Sequence, residues 1–242
     1  MRIASFNIRG ARLTPRAGLP PLVDACVALD ADILGLEEVH RHKRRSGFAD
    51  QAAFVARGLG CDHIFGPTRR RVIRGQYGNA LITRGLIKES EVRLLPGTGT
   101  QQPRAAILAV VEVQGTAVSV GVTHLQHHPK RLRHLPNEAP DQLRAVLAWL
   151  KELPTPRVLI GDLNLQPKRA VPMITDAGFE VAITGPAYPA EQPTVQLDYI
   201  AVDGFVIESA SVLPMADVSD HRPIVADVRL PKKRSSASPR IR

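Results

Sequence analysis

Apolar residues recur along the chain in short runs of strand length, broken by glycine, proline and polar turns, with a few stretches at helical spacing. Residues 2–8 read as a first strand, and 20–30 as a helix with proline in its first turn. Residues 32–39 form an apolar run that ends in two acids, which predicts a buried strand meeting solvent at its C-terminal end. A helix is expected over 48–59. Strands then dominate: 78–83, 87–95, 104–113 and 117–123 are short, rich in β-branched residues and bounded by turn signals. Gln114-Gly115-Thr116 is a hairpin-like link between the last two. The clearest amphipathic helix covers 139–153, where Leu143, Val146, Leu147 and Leu150 fall on one face. A strand over 157–160, a helix over 168–177 and late strands over 197–202, 205–213 and 224–230 complete the pattern.

In the middle of the chain strands follow strands, with no βα alternation, which argues against a Rossmann-type sheet. The pattern fits two mixed, mainly antiparallel sheets packed face to face with helices outside. No internal repeat is visible. From about Pro231 serine and proline alternate with basic residues without apolar periodicity, so the chain divides into a folded domain over 1–230 and a basic, disordered tail over 231–242.

A hydrophobic fraction of 44% over 242 residues supplies a sizeable core. No stretch approaches the length of a membrane span. Met1-Arg2 leads straight into the first strand, which leaves no room for a signal peptide. The two cysteines, Cys26 and Cys61, lack CxxC spacing and read as reduced thiols of a cytoplasmic protein, expected as a monomer. The net charge is +9, but the five basic residues from Lys232 onward supply more than half of it. The body is therefore only mildly basic, and the charge is weak support for a nucleic-acid partner. Aromatic residues, at 4%, are not interleaved with the arginine runs, so recognition of single strands by base stacking is poorly supported.

Several polar residues stand at strand ends, where a structural account needs no charge: Asn7, Glu37 and Glu38, His124, Asp162 and Asn164, Asp198, and Asp220 with His221. Any one alone reads as a surface or turn residue. Together, on strands that end at one rim of a sandwich, they define a pocket. Carboxylates and amide oxygens are hard ligands suited to Mg²⁺ or Mn²⁺. Histidine supplies a general base or acid and, when protonated, holds a phosphate. Asp162 and Asn164 lie two apart, so an extended backbone would aim both side chains the same way, a carboxylate on the attacking water and an amide on the phosphoryl oxygen. The chemistry is metal-assisted phosphoryl transfer to water.

Seven segments, in order, resemble the endonuclease/exonuclease/phosphatase (DNase I-like) superfamily: Ser5-Phe-Asn-Ile8, Asp32-Ile-Leu-Gly-Leu-Glu-Glu-Val39, Gly78-Asn-Ala-Leu-Ile-Thr-Arg84, Val122-Thr-His-Leu125, Gly161-Asp-Leu-Asn164, Leu197-Asp-Tyr-Ile200 and Ser219-Asp-His221. Each is short, and it is their order across nearly the whole domain that is specific. The resemblance implies an α/β four-layer αββα sandwich. It implies that Asn7, Glu38 and Asp220 help hold the metal, with Glu38 preferred because Glu37 stands where the family has Gln. It implies that His124 contacts the scissile phosphate, Asp162 orients or deprotonates the water, Asn164 contacts metal or phosphate, and Asp198 pairs with His221, the base or phosphate contact. One departure stands out. Where DNase I-like members carry a glutamate that pairs with the first histidine, this chain reads Gln101-Gln-Pro-Arg-Ala105, so Gln102 or its neighbour is expected beside His124.

Arg69, Arg70 and Arg71, with Arg74, form a basic run that would grip substrate phosphates or simply be solvated. His127, His128 and His134 lie among Lys130, Arg131 and Arg133; a basic loop beside the pocket is preferred there over a zinc cluster. Trp149 is expected in the core, His40 and His42 at the surface, and Asn79 in a turn. The leading functional reading is a metal-dependent hydrolase of phosphodiester bonds, with a nuclease first. The same chemistry on a lipid headgroup, inositol phosphate or other small phosphate ester comes second, and a catalytically inactive binding protein of the same fold third.

Overall fold

A computed structural model describes residues 1–11, 19–69, 75–99, 101–128 and 134–232. In chain order the elements are β1 (Arg2–Asn7), α1 (Pro20–Leu29), β2 (Ile33–Arg41), α2 (Gln51–Leu59), β3 (Asp62–Pro67), β4 (Gln76–Thr83), β5 (Leu86–Leu94), β6 (Ala105–Val113), β7 (Thr116–His124), α3 (Ala139–Glu152), β8 (Arg157–Asp162), α4 (Pro167–Asp176), β9 (Glu180–Val181), β10 (Asp198–Asp203), β11 (Val206–Val212) and β12 (Ile224–Arg229). The hairpin link between β6 and β7 holds Gln114 and Gly115 at φ 50° and 74°, the pair of positive values that a two-residue turn between twisted strands requires. The helix expected over 48–59 starts later, because the Asp50 carboxylate caps it by accepting from the Ala53 N–H.

The strands form two six-stranded sheets, ordered β11-β12-β1-β2-β4-β3 and β5-β6-β7-β8-β10-β9. Only β1–β2 and β7–β8 pair in parallel. Each of these parallel pairs is bridged by a crossover through a helix, α1 or α3, as parallel strands demand.

Alternation along the strands sorts the apolar residues into three layers. Ile3, Ile33, Val122, Ile160, Ile200 and Ile224 meet between the sheets. Ala4, Phe6, Leu34 and Leu36 turn outward to pack against Leu22, Cys26 and Leu29 of α1 and Val55 of α2. Leu108, Leu159 and Tyr199 turn outward to Leu143, Val146, Leu147 and Leu150 of α3 and Ile174 of α4. This is the four-layer αββα sandwich expected from the sequence. Each fully buried Leu or Ile contributes about 1.5–3 kcal/mol relative to exposure, so the helices are held mainly by these faces. The sheets approach closely at Gly35, where a Cβ would lie 2.5 Å from the Ile160 side chain.

β3 and β9 were not expected from the apolar pattern. β3 has only Ile64 and Phe65 as large apolar residues, and its state is imposed by pairing along its whole length with β4. Residues 233–242, most of the expected tail, lie outside the described residues, and Pro231 and Lys232 have no regular structure.

Candidate active site at one rim of the sandwich

The period of two that builds the inner apolar layer also builds the site. On β1, Ile3, Ser5 and Asn7 face inward in turn; on β8 Asp162 follows Ile160; on β7 His124 follows Val122; on β10 Asp198 precedes Ile200. The inner layer thus changes from apolar to polar at one end. Register aligns the polar groups: Asn7 lies opposite Glu37, and Asp162 lies between His124 and Asp198. Gly161 permits the approach of β8 to β7, since a Cβ there would sit 1.9 Å from the Thr123 carbonyl oxygen.

A β-bulge separates the two glutamates of β2. Leu36 opposes Ala80 and Val39 opposes Gly78, so one extra residue is inserted, and Glu38 has φ 57°. Glu37 stays on the inner face, fully buried, accepting from the Ser5 hydroxyl at 3.2 Å. Glu38 is released toward the rim, partly exposed, with Oε1 3.5 Å from Asn7 Nδ2.

The two sheets are joined here by a buried bond: Asn7 Nδ2 donates to Asp162 Oδ2 at 2.9 Å. The other Asp162 oxygen accepts the Asn164 N–H at 3.0 Å. Asn164 has φ 49°, so the extended backbone expected for Asp162-Leu163-Asn164 is not what aligns the two side chains. A tight turn closed by the Asp162 carboxylate does so instead. It places Asn164 Nδ2 2.9 Å from His124 Nε2 and 3.1 Å from the Leu125 carbonyl oxygen. His221 Nδ1 lies 2.9 Å from Asp198 Oδ2, and its Nε2 lies 3.9 Å from Asp162 Oδ2. Asp220 reaches the rim, where it pairs with Arg9 at 3.1 Å. The buried Ser219 hydroxyl donates to the Asn7 carbonyl at 2.6 Å and ties the Asp220-His221 turn to β1. Asn7, Glu38, His124, Asp162, Asn164, Asp198, Asp220 and His221 therefore come together. Ser219, part of the Ser219-Asp-His221 segment, belongs with them through its bond to Asn7, as does Arg9, whose type and position in the sequence gave no sign of it.

Electrostatics divides the two histidines. Burial lowers the His124 pKa well below the usual value, and the charges of Arg104, His221 and His127 lower it further. Burial also disfavours charge on His221, but the carboxylates of Asp198, Asp162 and Asp220 override it and push its pKa up to about 10. Asp162 is raised to about 7, by burial first and by Asp198 second, against the opposing effects of His221, Asn7 and Asn164. Burial and the same two aspartates raise Glu37 well above the carboxylate range.

Other expectations are corrected. Gln102 is exposed and is not beside His124. The Tyr77 hydroxyl takes that place, 3.4 Å from His124 Nδ1, and it accepts from Arg104 at 3.3 Å. A cation stands next to this histidine where a glutamate was the family pattern. His40 is buried, not at the surface; its backbone N–H donates to Gln51 Oε1 at 2.8 Å and its ring fills the space over Gly10. His42 is exposed. Asn79 lies inside β4, not in a turn, and donates across the sandwich to the Ala105 carbonyl at 2.9 Å. Trp149 is half-buried against the α3–α4 layer. His127 Nδ1 is 3.1 Å from Asn164 Oδ1, which makes it a neighbour of the site. Arg69 is exposed, and Arg70, Arg71, Arg74, Lys130, Arg131 and Arg133 lie outside the described residues.

Among the described residues, one group of acids and histidines has metal-binding geometry: Asp162, Asp198 and His221 offer ligand atoms within 4.8 Å of one another. No helix of the described residues is long and apolar enough to cross a membrane.

Two sheets flanked by helices, with a carboxylate–histidine cluster at one rim, define the DNase I-like class and are consistent with a metal-dependent phosphoesterase. The profile of the Endonuclease/Exonuclease/phosphatase family matches residues 4–221, and the chain belongs to that family. The structure is similar to an endonuclease/exonuclease/phosphatase from Beutenbergia cavernae, with a TM-score of 0.77 and 23% identity over 95% of this chain and 71% of that one. It is similar to a mannosyl-6-phosphatase of Bacteroides thetaiotaomicron, with a TM-score of 0.75 and 18% identity over 95% of this chain and all (100%) of that one. It also resembles the human Nocturnin catalytic domain with bound sulfate, with a TM-score of 0.72 and 22% identity over 96% and 93% of the two chains. Among curated sequences it matches UPF0294 proteins of Vibrio vulnificus at 26% identity over 99 residues, 39% of this chain. The match spans about a third (34%) of the length of those relatives.

Proposed function

We propose that the chain is a divalent-metal-dependent hydrolase of phosphodiester bonds, with nucleic acid the first substrate to test. The observation that carries this reading is the convergence of Asn7 and Glu38 from one sheet with Asp162, Asp198 and the Asp220-His221 turn on one rim. The donor set fits a hard cation, since several carboxylates are held together with few cations to balance them and one Asp198 oxygen is buried without a hydrogen-bond partner among the described residues. Glu38, Asp220 and Asn7 would hold it, with Asp162 and the unpartnered Asp198 oxygen adjoining. When bound, Mg²⁺ or Mn²⁺ supplies positive charge to the phosphoryl oxygens and acidifies water.

The chain's own residues do the rest. Asp198 fixes the orientation of the His221 ring and keeps the imidazole charged, so that its outward nitrogen donates to a phosphoryl oxygen. Asp162, held by Asn7 and the Asn164 N–H, orients the attacking water and accepts its proton. Water adds to phosphorus as the bond to the leaving oxygen breaks. His124 stays neutral beside Arg104 and positions the Asn164 amide, which leaves acid catalysis to His221.

The test is hydrolysis of bis(4-nitrophenyl) phosphate and plasmid DNA with Mg²⁺, with Mn²⁺ and in excess EDTA. Activity is expected only with metal, and Asp162→Asn and His221→Ala should each lower kcat by about 10² or more. Full activity in EDTA, or an unimpaired His221→Ala, overturns the reading. A second reading, a small phosphate ester as substrate, is favoured by a polar cavity that shares Tyr77 with the His124 side of the rim. A salt titration separates the two. Polynucleotide binding should weaken steeply with salt as counterions are released, whereas a small ester makes one or two phosphate contacts and should respond little.

A further inference from the structure

Next to the catalytic rim lies a cavity of about 530 Å³ whose walls come from the end of β2, the β3–β4 connection and the segment before β6. We propose that this cavity, lined by Lys43, Thr68, Arg69, Tyr77, Gln101 and Gln102, is a subsite for a second, non-scissile phosphate of the substrate. The proposal rests on the hydrolase reading for the place of the scissile phosphate.

Tyr77 is the wall shared by the two sites. Its hydroxyl is 3.4 Å from His124 Nδ1, and the Lys43 ammonium lies 5.2 Å from the centre of its ring. A group in the cavity is therefore about one tyrosine ring away from the reacting phosphate. Among the described residues the lining contains two cations, two carboxamides and two hydroxyl side chains, and no acid. Among the described residues neither Lys43 nor Arg69 has a carboxylate partner, unlike Arg2, Arg9, Arg84, Arg93 and Arg157. Two cations on a polar hollow, neither with a carboxylate partner among the described residues, call for an anion, and arginine with lysine is the pair that phosphate takes well. Burial and the nearby Arg45 lower the Lys43 pKa, a cost that an anion in the cavity would relieve. The Gln101 and Gln102 carboxamides and the Thr68 hydroxyl add donors and acceptors suited to a hydroxylated carrier. The volume exceeds that of a lone phosphate and is in the range of small-molecule sites. These features select a phosphate on a short hydroxylated carrier, either a polyol phosphate or the neighbouring nucleotide of a chain.

The experiment is calorimetric binding to the full chain with free Ca²⁺ held constant in place of Mg²⁺, and with chromatography showing the ligands intact afterwards. The ligands are alkanediol bisphosphates of increasing length, each matched by its monophosphate, and a dinucleotide with and without a 5′-phosphate. Wild type should bind at least one doubly phosphorylated ligand about tenfold tighter than its singly phosphorylated match. Lys43→Met combined with Arg69→Met should reduce that ratio to about one. Both side chains are at least partly exposed, and a thermal melt confirms that the variant is folded. A preference confined to the alkanediols assigns the subsite to polyol phosphates, and one confined to the dinucleotides assigns it to a nucleic-acid backbone. Equal affinity for every matched pair in wild type, or a preference that survives in the double variant, overturns the proposal. Because binding is read without turnover, a wild type that prefers the bisphosphate yet fails to hydrolyse bis(4-nitrophenyl) phosphate would remove the hydrolase reading and leave the phosphate subsite standing.

Discussion

At the scale of single residues, the site separates two histidines of the same type by what surrounds them. The pKa of His221 is pushed up by its carboxylate neighbours, with Asp198 2.9 Å from its Nδ1, whereas burial first and the Arg104 charge second push that of His124 down. Asp198→Asn keeps the shape and removes the charge. The His221 pKa should then fall from about 10 toward or below its usual value, followed by NMR titration of the ring protons, and kcat should drop. An unmoved titration would mean that Asp198 is not what keeps the imidazole charged. The identity of these residues was legible in the sequence because polar groups at the ends of apolar strands have no packing reason to be there. Tyr77 and Arg104 were not legible as partners of His124. They sit on β4 and just before β6, and only the pairing of distant strands brings them to β7. Glu37 and Glu38 could be told apart only by the family pattern, since nothing local in Leu36-Glu37-Glu38-Val39 announces a bulge.

At the scale of elements, the site depends on strand register more than on any loop. Gly161 precedes Asp162 and lies against the Thr123 carbonyl, so a methyl group there must push β8 away from β7. Gly161→Ala is expected to cost about 1–3 kcal/mol, the range for overpacking. In a chain of this size that is a fall of about 2–4 °C in Tm per kcal/mol. The same shift would pull Asp162 from His124, so activity should fall by more than the loss of folded protein explains. Melting curves and kcat measured on the same preparation check both, and an unchanged Tm would show that the strands can separate freely. Strands and helices with strong periodicity, such as 139–153, were legible to within a residue or two. β3 was not, because its strand state comes from its partner β4 and not from its own residues.

At the scale of the whole molecule, the layers were legible because strands follow strands and because the motifs fall in family order. The order of strands within each sheet was not, since it depends on pairings between distant segments. The arrangement has a consequence for stability. Asn7 and Glu38 belong to one sheet and Asp162 to the other, so a cation at the rim would tie the two sheets together. Asp162 is raised to about 7 from a usual value near 3.8. For a carboxyl raised in the folded state, the associated stability is present below the unfolded pKa and is lost as pH rises through the folded one. Without metal, Tm should therefore decline as pH rises through about 7 from this group. Mg²⁺ should restore it, raising Tm more at about pH 8 than at about pH 5, because ligands must be deprotonated to bind. His221 adds a second, later decline, lost as pH rises through about 10. Equal effects of Mg²⁺ at both pH values would count against a carboxylate site.

β1 lies in the middle of its sheet, with β12 on one side, and the Met1 amino group reaches the Val228 carbonyl across 227 residues of sequence. A chain emerging from the ribosome makes β1 long before β12, and that edge stays uncovered while the intervening strands emerge. Until then Arg2–Asn7 stands as an open strand edge, the kind of template that invites wrong partners. The Asp220-His221 turn lies only just ahead of β12, so the late groups of the rim and the strand that covers β1 leave the ribosome together. An unfinished chain thus carries both an open edge and an incomplete rim, and the same late segment closes the two.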